Sequence, residues 1–185
     1  EDIYLPYKPK RRPRATAARE RGLEPLADIV MAQRAHDLLR QAQRFVTAEV
    51  ATPEEAIAGA CDIIAESISD EADYRMEIRR RTEAKGLIVS TAKDEKAESV
   101  YENYYEFSEP VSKIAGHRVL ALNRGEKEKF LNVKIEAPTE EILRYLEKKI
   151  ITKESPQTKP VLQATIEDAY NRLIAPAIER EVRNQ

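Results

Sequence analysis

Residues 52–68, TPEEAIAGACDIIAESI, commit the chain to at least one long buried helix. Thr52 is suited to cap it, and Pro53 falls at the first helical position, where its missing N–H costs nothing. Glu55 stands where the acid of a capping box belongs. Ala56, Ile57, Ala60, Cys61, Ile63, Ile64 and Ile68 then recur at helical spacing as a broad apolar stripe. A stripe that wide must be buried against other helices, so the chain needs several. Only 5 glycines and no tryptophan among 185 residues argue against a Gly-rich β architecture and against a phosphate-cradling loop.

The flanking sequence supplies those helices. Pro25 suits a first turn, and Leu26, Ile29, Val30, Leu38 and Leu39 keep a helical rhythm from Gly22 to about Val50. Ser69 restarts a helix through Tyr74, Met76 and Ile78 to near Gly86. Residues 94–107, with Val100, Tyr101, Tyr104, Tyr105 and Phe107, read as helix, as do residues 117–124. Pro138-Thr139 opens another with Ile142, Leu143, Leu146 and Ile150. The last, from Leu162 to Ile178, contains Pro176, which should kink it or break one hydrogen bond. Two short segments differ. Residues 87–91 are β-rich, and residues 131–135 alternate Leu131, Val133 and Ile135 with Asn132 and Lys134, the period of a half-buried strand. Two lone strands pair most simply with each other and must pack on helices. The expected fold is mainly α: a multi-helical, bundle-like region over residues 23–185 with a small two-stranded β element.

Residues 1–22 read differently. Pro6, Pro9 and Pro13 push their preceding residues toward extended backbone, so an extended basic arm is expected. It carries Lys8, Lys10, Arg11, Arg12 and Arg14, and its net charge of +4 leaves −6 on the rest of a chain whose net charge is −2. A near-balanced chain is no wholesale polyanion binder, so any nucleic-acid surface must be local. The arm's cations, with Tyr4 and Tyr7, can meet a phosphate backbone, or the acidic surface of their own domain. His117 at the start of an expected helix can cap it or hydrogen-bond locally, or meet a phosphate or a partner together with Arg118 and Arg124. The group Tyr101, Tyr104, Tyr105 and Phe107 can stack on bases, but its spacing equally suits a packed core.

The equipment of the common enzyme classes is missing. Two distant histidines and one cysteine do not make a metal site. There is no phosphate-loop, dinucleotide or nucleophile-elbow motif. The acid pairs Glu54/Glu55 and Glu140/Glu141 stand at helix starts, where they complement the helix dipole. No cofactor, no metal and no catalysis are expected. The lone Cys61 reads as a small helical hydrophobe in a reducing, intracellular setting. No apolar run approaches a membrane span and no signal-peptide pattern is seen. The chain opens at Glu1 and reads as a piece of a longer protein.

The run EDIYLPYKPKRRPRATAARERGLEPLAD (1–28) closely resembles the N-terminal region of the Tex family of bacterial transcription accessory proteins. Further segments match in order: AIAGACDIIAESIS (56–69), YYEFSEPVSKIAGHRVLALNRGEKE (104–128) and AYNRLIAPAIEREVR (169–183). The resemblance covers essentially the whole chain. It implies a large cytoplasmic protein with a multi-helical N-terminal region, then a ribonuclease-H-like domain, helix-hairpin-helix elements and a C-terminal S1 domain. It also implies nucleic-acid binding, RNA or DNA, through the full-length chain, with the S1 domain as main contributor. None of those downstream domains is visible in this sequence, and no catalytic residue carries over.

Two readings follow. In the first, the chain is a helical scaffold that positions downstream domains, with Lys8, Lys10, Arg11, Arg12 and Arg14 as nucleic-acid contacts and Arg118 and Arg124 as further ones. In the second, it is a protein-interaction scaffold docking other domains or the transcription machinery, with no nucleic-acid contact of its own.

Overall fold

The computed structural model describes residues 13–184, and the chain divides into two compact units. The first lies within residues 1–74 and 143–174, the second within residues 75–142 and 175–185.

The first unit is built around α4 (Pro53–Asp70). Its start follows the sequence. Thr52 Oγ1 accepts the Glu55 N–H at 3.1 Å, and Glu55 Oε2 accepts the Ala51 N–H at 3.1 Å. Its apolar stripe is buried at Ala56, Ala60, Ile63, Ile64, Ala65 and Ile68. Against it pack α1 (Arg14–Glu20), α2 (Glu24–Ala32), α3 (Leu38–Gln43) and α8 (Lys159–Asp168). Leu26, Val30, Leu162 and Ile166 complete this core, each fully buried.

Three expectations need correction here. The last third of the expected extended arm is helical: Arg14–Glu20 form α1, which buries Ala15 and Ala18. Pro13 supplies the extended residue just ahead of the helix rather than breaking it. The helix ends in a Schellman turn, with Leu23 N–H donating to the Ala18 carbonyl, Gly22 N–H to that of Arg19, and Gly22 at φ 77°. The expected helix from Gly22 to Val50 is instead two, because Gln33 turns left-handed at φ 58°. Its side chain reaches across the unit. Nε2 donates to the Ile150 carbonyl at 2.9 Å, while Oε1 accepts the N–H groups of Thr152 and Lys153 at 3.0 and 3.2 Å. A second tie runs from the Leu38 N–H to Gln157 Oε1 at 2.9 Å. The last helix is π-helical over Ala169–Ile174, ahead of the proline expected to disturb it.

The second unit holds the sheet. β1 (Leu87–Ala92) is the centre of three antiparallel strands ordered β2–β1–β3. With β3 (Leu131–Glu136) it pairs Leu87 with Glu136 and Ala92 with Leu131. With β2 (Glu106–Pro110) it pairs Leu87 with Pro110 and Thr91 with Glu106. The two expected strands do pair, but the sheet is three-stranded, and residues 94–107 are not a helix. A 3₁₀ turn at Glu102–Tyr104 gives Tyr101 and Tyr104 the three-residue spacing that resembles a helix. The chain then extends, so that Phe107 pairs with Ser90 on the covered face. α6 (Gly116–Lys127) packs on β3, and Ile88, Tyr101, Leu122, Leu131 and Val133 form the buried core, flanked by Tyr104, Tyr105, Phe107 and Phe130. The aromatic group is therefore largely committed to packing. α9 (Ala175–Arg183) closes the outer edge of β3. Glu179 Oε2 accepts the Ile135 N–H, and Arg183 Nη1 donates to the Val133 carbonyl, both at 3.3 Å. α5 (Ala72–Lys85) and α7 (Thr139–Ile150) are the remaining helices.

Candidate nucleic-acid interface

A surface that binds phosphates needs cations that are not already engaged in internal ion pairs. In the second unit they crowd α5. Glu181 receives both Arg75 (2.9 Å) and Arg79 (3.1 Å). Glu77 receives Arg80 and Arg81, each at 2.6 Å, and Glu141 receives Arg81 (3.2 Å) and Lys85 (2.7 Å). The hydrogen bonds from Arg80 and Arg81 hold the Glu77 carboxyl down at about 2. A depressed carboxyl stabilises the fold above its ordinary range, and that stability is lost as pH falls through that range toward 2. Glu77→Gln should therefore make the unfolding midpoint flatter than wild type between about pH 4.5 and 2, followed by thermal melts across that window. Equal slopes would remove Glu77 from the acid response.

Other arginines are similarly occupied. In the second unit Arg183 grips Glu126 through Nη2 at 2.6 Å and Nη1 at 3.1 Å, and reaches Asn123 at 3.0 Å. In the first unit Arg19 meets Glu66 at 2.8 Å, and Arg172 clasps Asp168 at 2.8 and 3.1 Å. That clasp holds the Asp168 carboxyl below its usual range, while burial pushes its neighbour Asp62 upward. Burial likewise pushes the Cys61 thiol up, which makes it a poor thiolate.

The expected contact residues separate by role. Lys8, Lys10, Arg11 and Arg12 lie outside the described residues. Arg14 opens α1 in the first unit, exposed, and its charge acts on Asp62 and Asp168. Arg118 and Arg124 are both on α6 in the second unit, but six positions apart, so they point about 120° from each other. Arg118 turns inward and lies 5.7 Å from the Phe107 ring centroid, a cation–π contact. Arg124 faces solvent. The structure thus brings Arg124 together not with Arg118 but with exposed His117, Leu120 and Lys127, which share one face of α6 at spacings of three, four and three. Ala115 is the N-cap of α6, so His117 is not its capping residue. Leu120 and Lys127 are not marked by any motif, and only their helical spacing from His117 and Arg124 signals them in the sequence.

Beside this face runs a groove of about 630 Å³ within the second unit, apolar along one side and polar at Asn123, Arg183 and Asn184. Val111, Ile114, Val119, Leu120 and Ile135 line it, and Leu120 is 70% exposed. Among the described residues, no group of three His, Cys, Asp or Glu side chains is placed to hold a metal ion, and no helix is long and apolar enough to cross a membrane.

Residues 33–185 match a family model described as Tex central region-like. An uncharacterised protein of Bacillus subtilis, YdcI, is 51% identical over 191 residues, covering 100% of this chain and 27% of YdcI. Protein tex of Bordetella pertussis is 38% identical over 139 residues, 73% of this chain and 18% of the relative. The transcriptional accessory protein Tex of Neisseria gonorrhoeae is 35% identical over 136 residues, 72% of this chain and 18% of the relative. The chain thus spans about a quarter or less of the length of these relatives.

Proposed function

The chain belongs to the Tex family, and from that premise we propose that it is a non-catalytic helical scaffold of a cytoplasmic transcription accessory protein which binds RNA or DNA through its full length. The observation that carries this reading is the division of labour among cations. The arginines of α5 and Arg183 of α9 are locked into carboxylate pairs that hold the second unit together, whereas α6 turns His117, Arg124 and Lys127 to solvent. The basic arm of Lys8, Lys10, Arg11, Arg12 and Arg14 adds a second set of cations. The scaffold would present both sets to a phosphate backbone and position the domains that follow it in the family's full-length proteins.

The test is fluorescence anisotropy with single-stranded RNA and with duplex DNA across a salt series. Changing Lys8, Lys10, Arg11, Arg12 and Arg14 to Ser should weaken binding alike for all sequences, because phosphate contacts carry no sequence information. It should also reduce the logarithmic salt slope on duplex by up to about 4.5, since each of the five lost contacts removes roughly 0.9. A slope equal to wild type would exclude the arm from the interface.

A second reading is supported by the groove beside Leu120, whose apolar side and polar rim suit a protein segment. It would make the chain a docking scaffold for other domains or for the transcription machinery. Absence of nucleic-acid binding at low salt would favour it over the first.

A further inference from the structure

We infer that a second phosphodiester-binding surface lies in the first unit, around α3, formed by Arg34, Arg40 and Arg44 with His36 and Lys153 beside them. It rests on the nucleic-acid reading above but uses none of the residues that reading names. Arg19, Arg75, Arg79, Arg80, Arg81, Arg172 and Arg183 all have carboxylate partners. Arg34, Arg40 and Arg44 are exposed and form no ion pair among the described residues. These three unengaged guanidiniums fall within eleven positions. The local sequence also lacks acids. From Ile29 to Ala48 the only one is Asp37, whose Oδ1 accepts the Arg40 N–H at 3.1 Å and so caps α3.

Two of the arginines share the outer face of α3, and the segment carrying Arg34 and His36 leads directly into it. α3 buries Leu38 and Ala42, which leaves Leu39, Arg40, Gln43 and Arg44 on its outer face. Arg40 and Arg44 are four positions apart, so their Cβ atoms are about 6 Å from each other. The backbone carrying Arg34 and His36 is fixed at both ends. Gln33 is anchored to Ile150, Thr152 and Lys153, and the Leu38 N–H to Gln157. The same anchor brings the backbone of Lys153 to Gln33. A cationic surface held this way loses little ordering entropy on binding.

The chemistry selects a phosphate backbone over an acidic protein. Guanidinium forks match phosphate oxygens in bidentate fashion, and Gln43 adds a neutral donor. A protein interface needs a buried apolar anchor, and Leu39, 48% exposed, is the one large apolar side chain on this face. No base reading is expected, because six residues of helix with two arginines position a backbone without probing a groove.

The experiment compares wild-type chain with R34Q/R40Q/R44Q and R34K/R40K/R44K, again by anisotropy with single-stranded RNA and duplex DNA over a salt series. Thermal melts check that these exposed changes leave the fold intact. The glutamine triple should weaken binding at low salt by about tenfold or more, and lower the logarithmic salt slope by about 2–3 on duplex and about 2 on single strand. The lysine triple should recover the slope, because it restores charge. A glutamine triple with the wild-type slope overturns the inference. So does a lysine triple that behaves like glutamine. If the arm variant loses binding while the glutamine triple does not, this surface falls and the broader reading stands. If wild type binds neither nucleic acid at low salt, both fall. A polyglutamate peptide that binds wild type but not the glutamine triple, in the absence of nucleic-acid binding, would assign the surface to an acidic protein and overturn the inference.

Discussion

Gln33→Leu is expected to destabilise the chain by about 2–4 kcal/mol, one of the largest losses available to a single polar residue here. Three backbone groups depend on the Gln33 amide: the Ile150 carbonyl at 2.9 Å, the Thr152 N–H at 3.0 Å and the Lys153 N–H at 3.2 Å. The side chain is only 5% exposed, so the Ile150 carbonyl has no ready access to water once the amide is gone. Leaving a buried acceptor unpaired costs about 1–3 kcal/mol. The two N–H groups add less, because Thr152 and Lys153 sit at the surface. Leucine also keeps the left-handed backbone that Gln33 already adopts at φ 58°. Gln33→Gly removes the same hydrogen bonds but relaxes that backbone, so it should lose about 1 kcal/mol less than leucine. Urea unfolding of the three proteins measures the difference. A leucine variant within about 0.5 kcal/mol of wild type would show that the amide is not the tie the structure makes it.

The second large effect concerns the close approach of α6 to β3. Leu131→Ala should cost about 2–5 kcal/mol, the range for a leucine deleted from a closed core. Leu131 is fully buried and packs with Tyr101 and Leu122. It fits because Gly125 has no side chain. A Cβ there would stand 2.5 Å from Leu131 Cδ1, 2.9 Å from its Cγ and 3.2 Å from Tyr101 Cδ1. Gly125→Ala should therefore cost about 1–3 kcal/mol through overpacking. The two changes are complementary, since the added methyl takes space that the shortened side chain vacates. The double variant should fall short of the sum of the single losses by about 1 kcal/mol or more. Strict additivity in a double-mutant cycle would mean that the helix shifts away from the strand when alanine is introduced.

Gly125 also shows where sequence reading met its limit. A glycine after HRVLALNR reads as a helix end, yet α6 runs on to Lys127 and buries Gly125 in its last turns. The reason is tertiary, because the residue is small to admit Leu131 and not to stop a helix. The aromatic run behaved the same way. Spacings of three and four from Tyr101 to Tyr105 satisfy a helix, but a 3₁₀ turn followed by a strand satisfies them too, and pairing with β1 decided between them. Pro13 reads as part of an extended segment, yet α1 begins at the next residue. In the candidate interface, Arg118 and Arg124 were equivalent as sequence. Only the position of Phe107 showed that one stacks inward while the other faces solvent.

What the sequence determined by itself was whatever depends on neighbours a few residues apart. That covers the start of α4 at Thr52, its apolar stripe, the alternation of β3, the mainly helical class and the charge of the arm. Capping and periodicity are written in adjacent turns, so they can be read without knowing the fold. The tertiary structure alone decided the left-handed break at Gln33, the third strand, and which arginines are engaged and which are free. Each of these depends on a partner distant in the chain: Ile150 for Gln33, 117 positions away, and Glu181 for Arg75, 106 away. Nothing in the residues around Gln33 or Arg75 specifies those partners. They meet because burying the apolar faces of the helices brings them together, and the hydrogen bonds and ion pairs form on the geometry that burial leaves.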